Sequence, residues 1–297
     1  MHGHKAVIAA VGIVCWWSVA FVFAQTAEIR QISVQESDVT VRWNSPFDLH
    51  IVQRADTLND AYTFASPVIS TSYWQGISTS NCIFYRLAKV QVLFSLDPAL
   101  KSAVQAQLIA DSNKLSPSSD VYDIEMPFLL TLSAEFTTVS NLSGLEYAGS
   151  ITNLFLANNQ VSDVSPLAGL ERLITLDLGY NDISDLSPLA GLTNLQNLYV
   201  DNNLLTNLNG LANLRQLRWL YAQNNQLVGL EPLADLDALM IVNLADNAGI
   251  TNIQPLLDNA AGGGLGTNDI VDITNNTNIP TSQLSALTNC GVTVYGP

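Results

Sequence analysis

A step of 22 residues governs the second half of this chain. Leu154, Leu176, Leu198, Leu220 and Val242 stand 22 apart, and Asn159, Asn181, Asn203, Asn225 and Asn247 keep the same step, so five repeats run in strict register. A fixed period of this length predicts a solenoid, in which each unit buries its apolar face only by stacking on its neighbours. One unit runs Leu173-x-x-Leu176-x-Leu178-x-x-Asn181-x-Ile183, followed by Asp185, Leu186, Pro188, Leu189 and Leu192. Alternation in the Leu-x-Leu step turns two leucines inward and the residue between them outward, which predicts one short strand per repeat in a parallel sheet. The asparagine has an amide able to satisfy backbone groups at the turn out of the strand. Pro166, Pro188, Pro232 and Pro255 fall on the return path, where proline favours short 3₁₀ or extended segments over full helices.

The segments from Asn159 to Leu170 and from Asn181 to Leu192 follow the pattern N-x-I-S-D-L-S-P-L-A-G-L almost letter for letter. They resemble the 22-residue bacterial class of leucine-rich repeats typified by the internalins. The resemblance implies an α/β solenoid with its parallel sheet on the concave face, and it implies protein binding as the activity.

Both ends depart from the period, as ends must where a leucine core would otherwise be bare. Leu132, Ala134 and Val139 keep the phase, but Thr137 takes the place of the asparagine, so Leu130 to Ser150 reads as a degenerate first repeat. Upstream, Asp97-Pro98 with Leu100, Val104 and Leu108 gives an N-cap, a first-turn proline and an apolar helical stripe. At the other end Asn247-Ala-Gly-Ile250 carries one extra residue, Gly262 to Gly264 mark a loop, and Val292 to Tyr295 makes a last strand. The expected organisation is therefore a solenoid over 130–297, a helical N-terminal cap over 94–129 and a small all-β module over 25–93. That module is antiparallel, with strands at Arg30 to Val34, Val39 to Trp43, Leu49 to Gln53 and Ile83 to Val92.

Residues 1–24 read as a secretory signal: His4 and Lys5, then an apolar run from Ala6 to Phe23, with Val22 and Ala24 at the cleavage positions before Gln25. An uncleaved anchor is the alternative, and it is the one expected route to a membrane. The location implied is secreted, periplasmic or cell surface. A formal charge of -15 argues against nucleic acid and anionic membrane surfaces as partners. Cys82 and Cys290 fall near opposite ends and read as two separate, buried thiols.

Catalytic constellations are scarce. His50 is the one histidine beyond the signal and reads as an outward strand residue, and there is no nucleophile elbow, phosphate loop or metal-ligand spacing. No cofactor and no metal are expected. What the repeat does display is a set of outward columns, spaced about 4.8 Å from strand to strand. One runs Phe155, Asp177, Tyr199, Tyr221, Asn243, Asp272; the next, Asn153, Thr175, Asn197, Trp219, Ile241, Ile270; the third, Ala157, Gly179, Asp201, Gln223, Ala245, Thr274. Tyr199, Trp219 and Tyr221 form an aromatic patch with Asp177, Asn197, Asp201 and Gln223 around it and Phe155 further along, while Arg215 and Arg218 lie beside it. Such a composition suits protein recognition, where Tyr and Trp dominate hot spots within a polar rim. It also suits carbohydrate or envelope glycan, by stacking on Trp219 or Tyr221. Asp177 and Asp201 raise the question of a glycosidase pair at about 5–9.5 Å. A shallow sheet does not raise an acid's pKa by burial, which leaves a hydrolase with an unrecognised site as the remaining alternative. The reading is a non-catalytic protein-binding module outside the cytoplasm.

Overall fold

The computed structural model describes residues 97–111, 121 and 125–296 in full and, upstream of these, the backbone of eight strands. The chain divides into two compact units, Met1–Val92 with Leu115–Ile124, and Leu93–Lys114 with Glu125–Pro297.

The first unit is antiparallel. Its strands are β1 (Gly12–Cys15), β2 (Ser18–Val19), β3 (Ile29–Gln35), β4 (Asp38–Trp43), β5 (His50–Ala55), β6 (Thr63–Phe64), β7 (Tyr73–Ile77) and β8 (Cys82–Lys89). They form a five-stranded sheet in the order β2-β1-β8-β5-β6 and a three-stranded sheet in the order β3-β4-β7. Four of these strands overlap the four read from the sequence. Strands β6 and β7 lie in a Ser- and Thr-rich stretch with little alternation to announce them. Apart from β1 and β2, the expected signal segment lies outside the described residues, as do the side chains of His50 and Cys82.

The second unit carries an eight-stranded parallel sheet in chain order. Its strands are β9 (Thr131–Ser133), β10 (Asn153–Phe155), β11 (Thr175–Asp177), β12 (Asn197–Tyr199), β13 (Trp219–Tyr221), β14 (Ile241–Asn243), β15 (Ile270–Asp272) and β16 (Thr293–Tyr295). Register is that of the repeat: Leu154 pairs with Leu176, Leu176 with Leu198, and Leu198 with Leu220. Each middle residue from Leu132 to Val271 is fully buried, and the leucines of the return path, such as Leu189, Leu192 and Leu195, meet them from the other side. Burial of a leucine side chain contributes about 1.5–3 kcal/mol, so these stacked columns are the source of the array's stability.

Return segments are short. 3₁₀ turns occupy Leu145–Tyr147, Ser165–Leu167, Ser187–Gly191, Asn209–Leu211 and Glu231–Leu233, and three of them have proline in the first turn, where its missing N–H goes unneeded. Pro255 departs from expectation: it opens a true α-helix, α2 (Gln254–Ala261), α1 being Pro98–Ala110. The repeat is longer here, with Val242 pairing with Val271, and the added length accommodates the helix. Asn259 in α2 is fully buried; its Nδ2 donates to the Leu233 and Leu236 carbonyls at 2.9 and 3.0 Å and its Oδ1 accepts from Leu265 N at 2.8 Å, tying α2 to the preceding turn.

Helix Pro98–Ala110 begins at the expected cap. Asp97 Oδ1 accepts from Ala99 N at 2.9 Å, and the helix buries Leu100, Val104 and Leu108. Asp97 also reaches into the degenerate first repeat, its Oδ2 accepting from Ser140 N at 3.1 Å. The last helix, Thr281–Asn289, buries only Leu287 and ends at Cys290. Cys290 is exposed, not buried as its residue type suggested, because it sits where the chain turns at the surface into Gly291, at φ 93°.

The asparagine column does what its amide allows, more completely than a turn alone would need. Asn181 Nδ2 lies 3.0 Å from the carbonyl of Leu156 in the previous repeat and 3.0 and 3.1 Å from those of Leu178 and Gly179 in its own. Its Oδ1 accepts from Val161 N of the previous repeat at 2.9 Å. Asn203, Asn225 and Asn247 repeat the pattern, and Asn276 closes it by accepting from Asn247 N at 2.7 Å. At the front, the Thr137 hydroxyl lies 2.7 Å from Asn159 Oδ1 and 3.0 Å from the Ala134 carbonyl, the smaller task of a residue with one neighbour.

One residue before each of these positions the backbone is left-handed: Phe136, Asn158, Tyr180, Asn202, Asn224, Asp246 and Asn275 have φ between 52° and 65°. Asn and Asp tolerate that conformation, whereas other L-residues lose about 1–2 kcal/mol in it. Phe136 and Tyr180 adopt it nonetheless, with 77% and 54% of their surface exposed.

Candidate functional site

Two of the three outward columns stand in register on the sheet; the third lies just past the strands, and its Ala157 and Ala245 are buried and not outward. Asn197 is in register with Trp219, and Asp177, Tyr199 and Tyr221 follow one another across β11, β12 and β13. The Tyr199 and Tyr221 rings are stacked, with centroids 4.9 Å apart and planes 13° from parallel. Trp219 is two residues earlier on β13 and is the more exposed ring at 39%. Phe155 is half-buried on β10, beside Asp177. Asn197 donates from Nδ2 to Thr175 Oγ1 at 3.1 Å, so part of its hydrogen-bonding capacity is met within the sheet. Gln223 Oε1 is shielded from solvent without a hydrogen-bond donor, a situation that costs about 1–3 kcal/mol for a polar atom. Arg215 faces Asp237 at 3.5 Å in an exposed pair, which makes it a return-path residue and not part of the patch.

Asp177 departs from the expectation that a shallow sheet leaves its acids unperturbed. Burial pushes its carboxyl up from the ordinary value, with the charges of Asp201 and Glu135 adding to that and a hydrogen bond from Gly179 N, at 3.0 Å, opposing it. The neighbouring Phe155 and Tyr199 on the adjacent strands are the bulk that sequence alone did not weigh. Burial likewise raises Tyr199, helped by Tyr221 and Asp177. The hydrogen bond to Gly179 N has a local explanation, since Asn243 and Asp272 in the same column accept from the amide two residues on, at 3.1 and 3.0 Å. Gly179 leaves room for both acids: a Cβ built there would lie 2.9 Å from Asp201 Oδ1 and 3.4 Å from Asp177 Oδ1.

A stability consequence follows with a definite sign. With its folded value raised, Asp177 contributes fully while protonated in both states, and that contribution is lost as pH rises through the raised value. At neutral pH the ionised group therefore works against the fold. Asp177→Asn is expected to raise the urea midpoint at pH 7 and to leave it nearly unchanged near pH 3, because an amide at the equivalent Asn243 already accepts the same backbone bond. A lower midpoint at pH 7 would contradict this account.

Sequence reasoning missed Glu135, which shares the column of Asp201, and the exposed rings Phe136 and Tyr180, because the left-handed column was not aligned. The signal was available, in that asparagine or aspartate fills this position in the other repeats. Among the described residues no group of three or more His, Cys, Asp or Glu side chains is placed to hold a metal ion, and no helix is long and apolar enough to cross a membrane.

Residues 171–213 match the family of leucine-rich repeats in two copies. Among solved structures, the internalin InlF of Listeria monocytogenes superposes with a TM-score of 0.56 at 25% identity, over 67% of this chain and 55% of its own. Internalin C2 of the same organism gives a TM-score of 0.51 at 32% identity, over 68% of this chain and 93% of its own. The chain thus spans only about half of InlF but nearly all of the resolved internalin C2. No curated protein sequence matches it significantly.

Proposed function

The chain belongs to the internalin-like class of bacterial leucine-rich-repeat proteins, and from that premise we propose that it is a non-catalytic recognition module acting outside the cytoplasm, with its partner protein held on the outward sheet face around Tyr199, Trp219 and Tyr221. The observation that carries this reading is the stacked tyrosine pair beside a 39% exposed tryptophan on the outward sheet face. Cross-strand contact stabilises a sheet by about 0.2–1 kcal/mol per pair, and an exposed indole adds little to that. Large rings at low conformational cost, bordered by Asp177, Asn197, Asp201 and Gln223, are the composition of binding hot spots. The apolar segment before Gln25 supports export.

Hydrolysis receives no such support. The raised Asp177 carboxyl supplies one element of an acid catalyst, but the face lacks the enclosure that excludes water from a reacting bond.

The reading is tested by isolating the binding partner from the native envelope or medium and measuring its affinity for the intact protein and for the Trp219→Ala/Tyr221→Ala variant. The double variant is expected to bind at least about tenfold more weakly while melting at a similar temperature. Equal affinity would end the concave-face reading. An envelope-glycan array run beside it distinguishes a sugar ligand, for which Asp201 and Asn197 would be the hydrogen-bonding groups.

A further inference from the structure

The outward face is acidic as well as aromatic, with Arg218, the residue before Trp219, as the cation at its margin. Glu135, Asp177, Asp201, Asp246 and Asp272 stand among the outward and left-handed positions of β9 to β15, where no lysine or arginine occurs. Over residues 125–296 the only cations are Arg172, Arg215 and Arg218, and Arg215 is taken by Asp237. The Asp177 and Asp201 carboxylates both border the bare backbone of Gly179, with no counter-ion within 4.0 Å among the described residues. Such acids repel each other until a cation arrives.

Resting on the recognition reading above, we propose that this face docks an extended segment of the partner polypeptide that carries arginine, its guanidinium seated over Gly179 between Asp177 and Asp201 and against the Tyr199 ring. Charge complementarity selects a cationic segment. The arrangement selects arginine over lysine: two carboxylates beside one another match the planar fork of donors, and a guanidinium is weakly hydrated and stacks on aromatic faces.

The experiment titrates the full chain against fluorescein-labelled octapeptides of alternating glycine and arginine, with lysine and citrulline versions beside them. The arginine peptide is expected to bind at least about tenfold more tightly than its neutral citrulline isostere and more tightly than the lysine version. Asp177→Asn/Asp201→Asn is expected to weaken it about tenfold, whereas Glu171→Gln/Asp235→Asn, on exposed return-path positions, leaves it within about twofold. Gly179→Ala, which crowds the Asp201 carboxylate, serves as a second probe and is expected to weaken binding about threefold or more; each variant is checked by its thermal melt. Equal losses in the two double variants would reduce the effect to the overall field and overturn the proposal, as would absence of binding to the arginine peptide or undiminished binding by Asp177→Asn/Asp201→Asn. Should the peptide fail while the natural partner still depends on Trp219 and Tyr221, only this inference falls; indifference of the partner to those two rings removes the recognition reading itself.

Discussion

Replacing Asn203 with alanine is expected to destabilise the protein by about 2–3 kcal/mol, seen as a large drop in the midpoint of urea unfolding. Asn203 is 6% exposed and its amide lies within 2.9–3.2 Å of three carbonyls, those of Leu178, Val200 and Asp201, while its Oδ1 accepts from Ile183 N at 2.9 Å. Alanine leaves the buried Ile183 N without its acceptor and takes one of two donors from each carbonyl, Leu178 keeping Asn181, Val200 keeping Asn225 and Asp201 keeping Tyr180 N. Asn203→Asp is expected to be worse, since a carboxylate accepts from Ile183 N but faces the three carbonyls without a donor. The control is Asn207→Ala on an exposed loop, where the Oδ1 bond to Asn209 N at 3.1 Å is open to replacement by solvent. Because each repeat touches only its neighbours, amide exchange in the Asn203 variant should quicken most between β11 and β13 and least at β16. Uniform quickening along the array would argue against a local ladder defect.

Gly210→Ala is the second large effect, at about 2–3 kcal/mol of lost stability. Gly210 is buried in the turn Asn209–Leu211, and a Cβ there would overlap the Leu186 carbonyl and lie 2.9 Å from Ser187 N. The equivalent positions 22 residues away on either side are Pro188 and Pro232. Where proline fits, consecutive turns sit further apart; at Gly210 the missing side chain lets this turn close onto its predecessor. Alanine must prise them apart or strain the turn. Gly149→Ala meets nothing within 4 Å and is expected to be neutral or mildly stabilising, by up to about 1 kcal/mol. Denaturant unfolding of both variants at one temperature checks the pair, and equal effects would show that loss of backbone freedom and not close packing sets the cost.

How far the letters alone reach depends on whether a residue repeats. Leu176 and Asn181 recur every 22 residues, and each recurrence reinforces one reading, so sheet, register and ladder were all legible. Where the period slips, the reading weakens: Pro255 looks like its counterparts Pro166 and Pro188, but the longer spacing between Val242 and Val271 gives it a helix to start. Cys290 was misjudged because burial there depends on the end of the last helix and not on residue type. The outward columns followed from alternation alone. Their energetics did not, since the rise in the Asp177 carboxyl comes from surroundings on other strands that residue type and spacing do not weigh.

The left-handed step occupied by Phe136 and Tyr180 bears on how such an array would be engineered. Rebuilding this solenoid from averaged repeats would place asparagine at both positions, as at Asn158, Asn202 and Asn224. The averaged scaffold is expected to be more heat-resistant than its natural parent and to have a blank rim. Consensus design and the display of exposed rings therefore pull in opposite directions at these two residues, and a library for new specificities would start from them, since a ring installed there costs the fold only what it already bears.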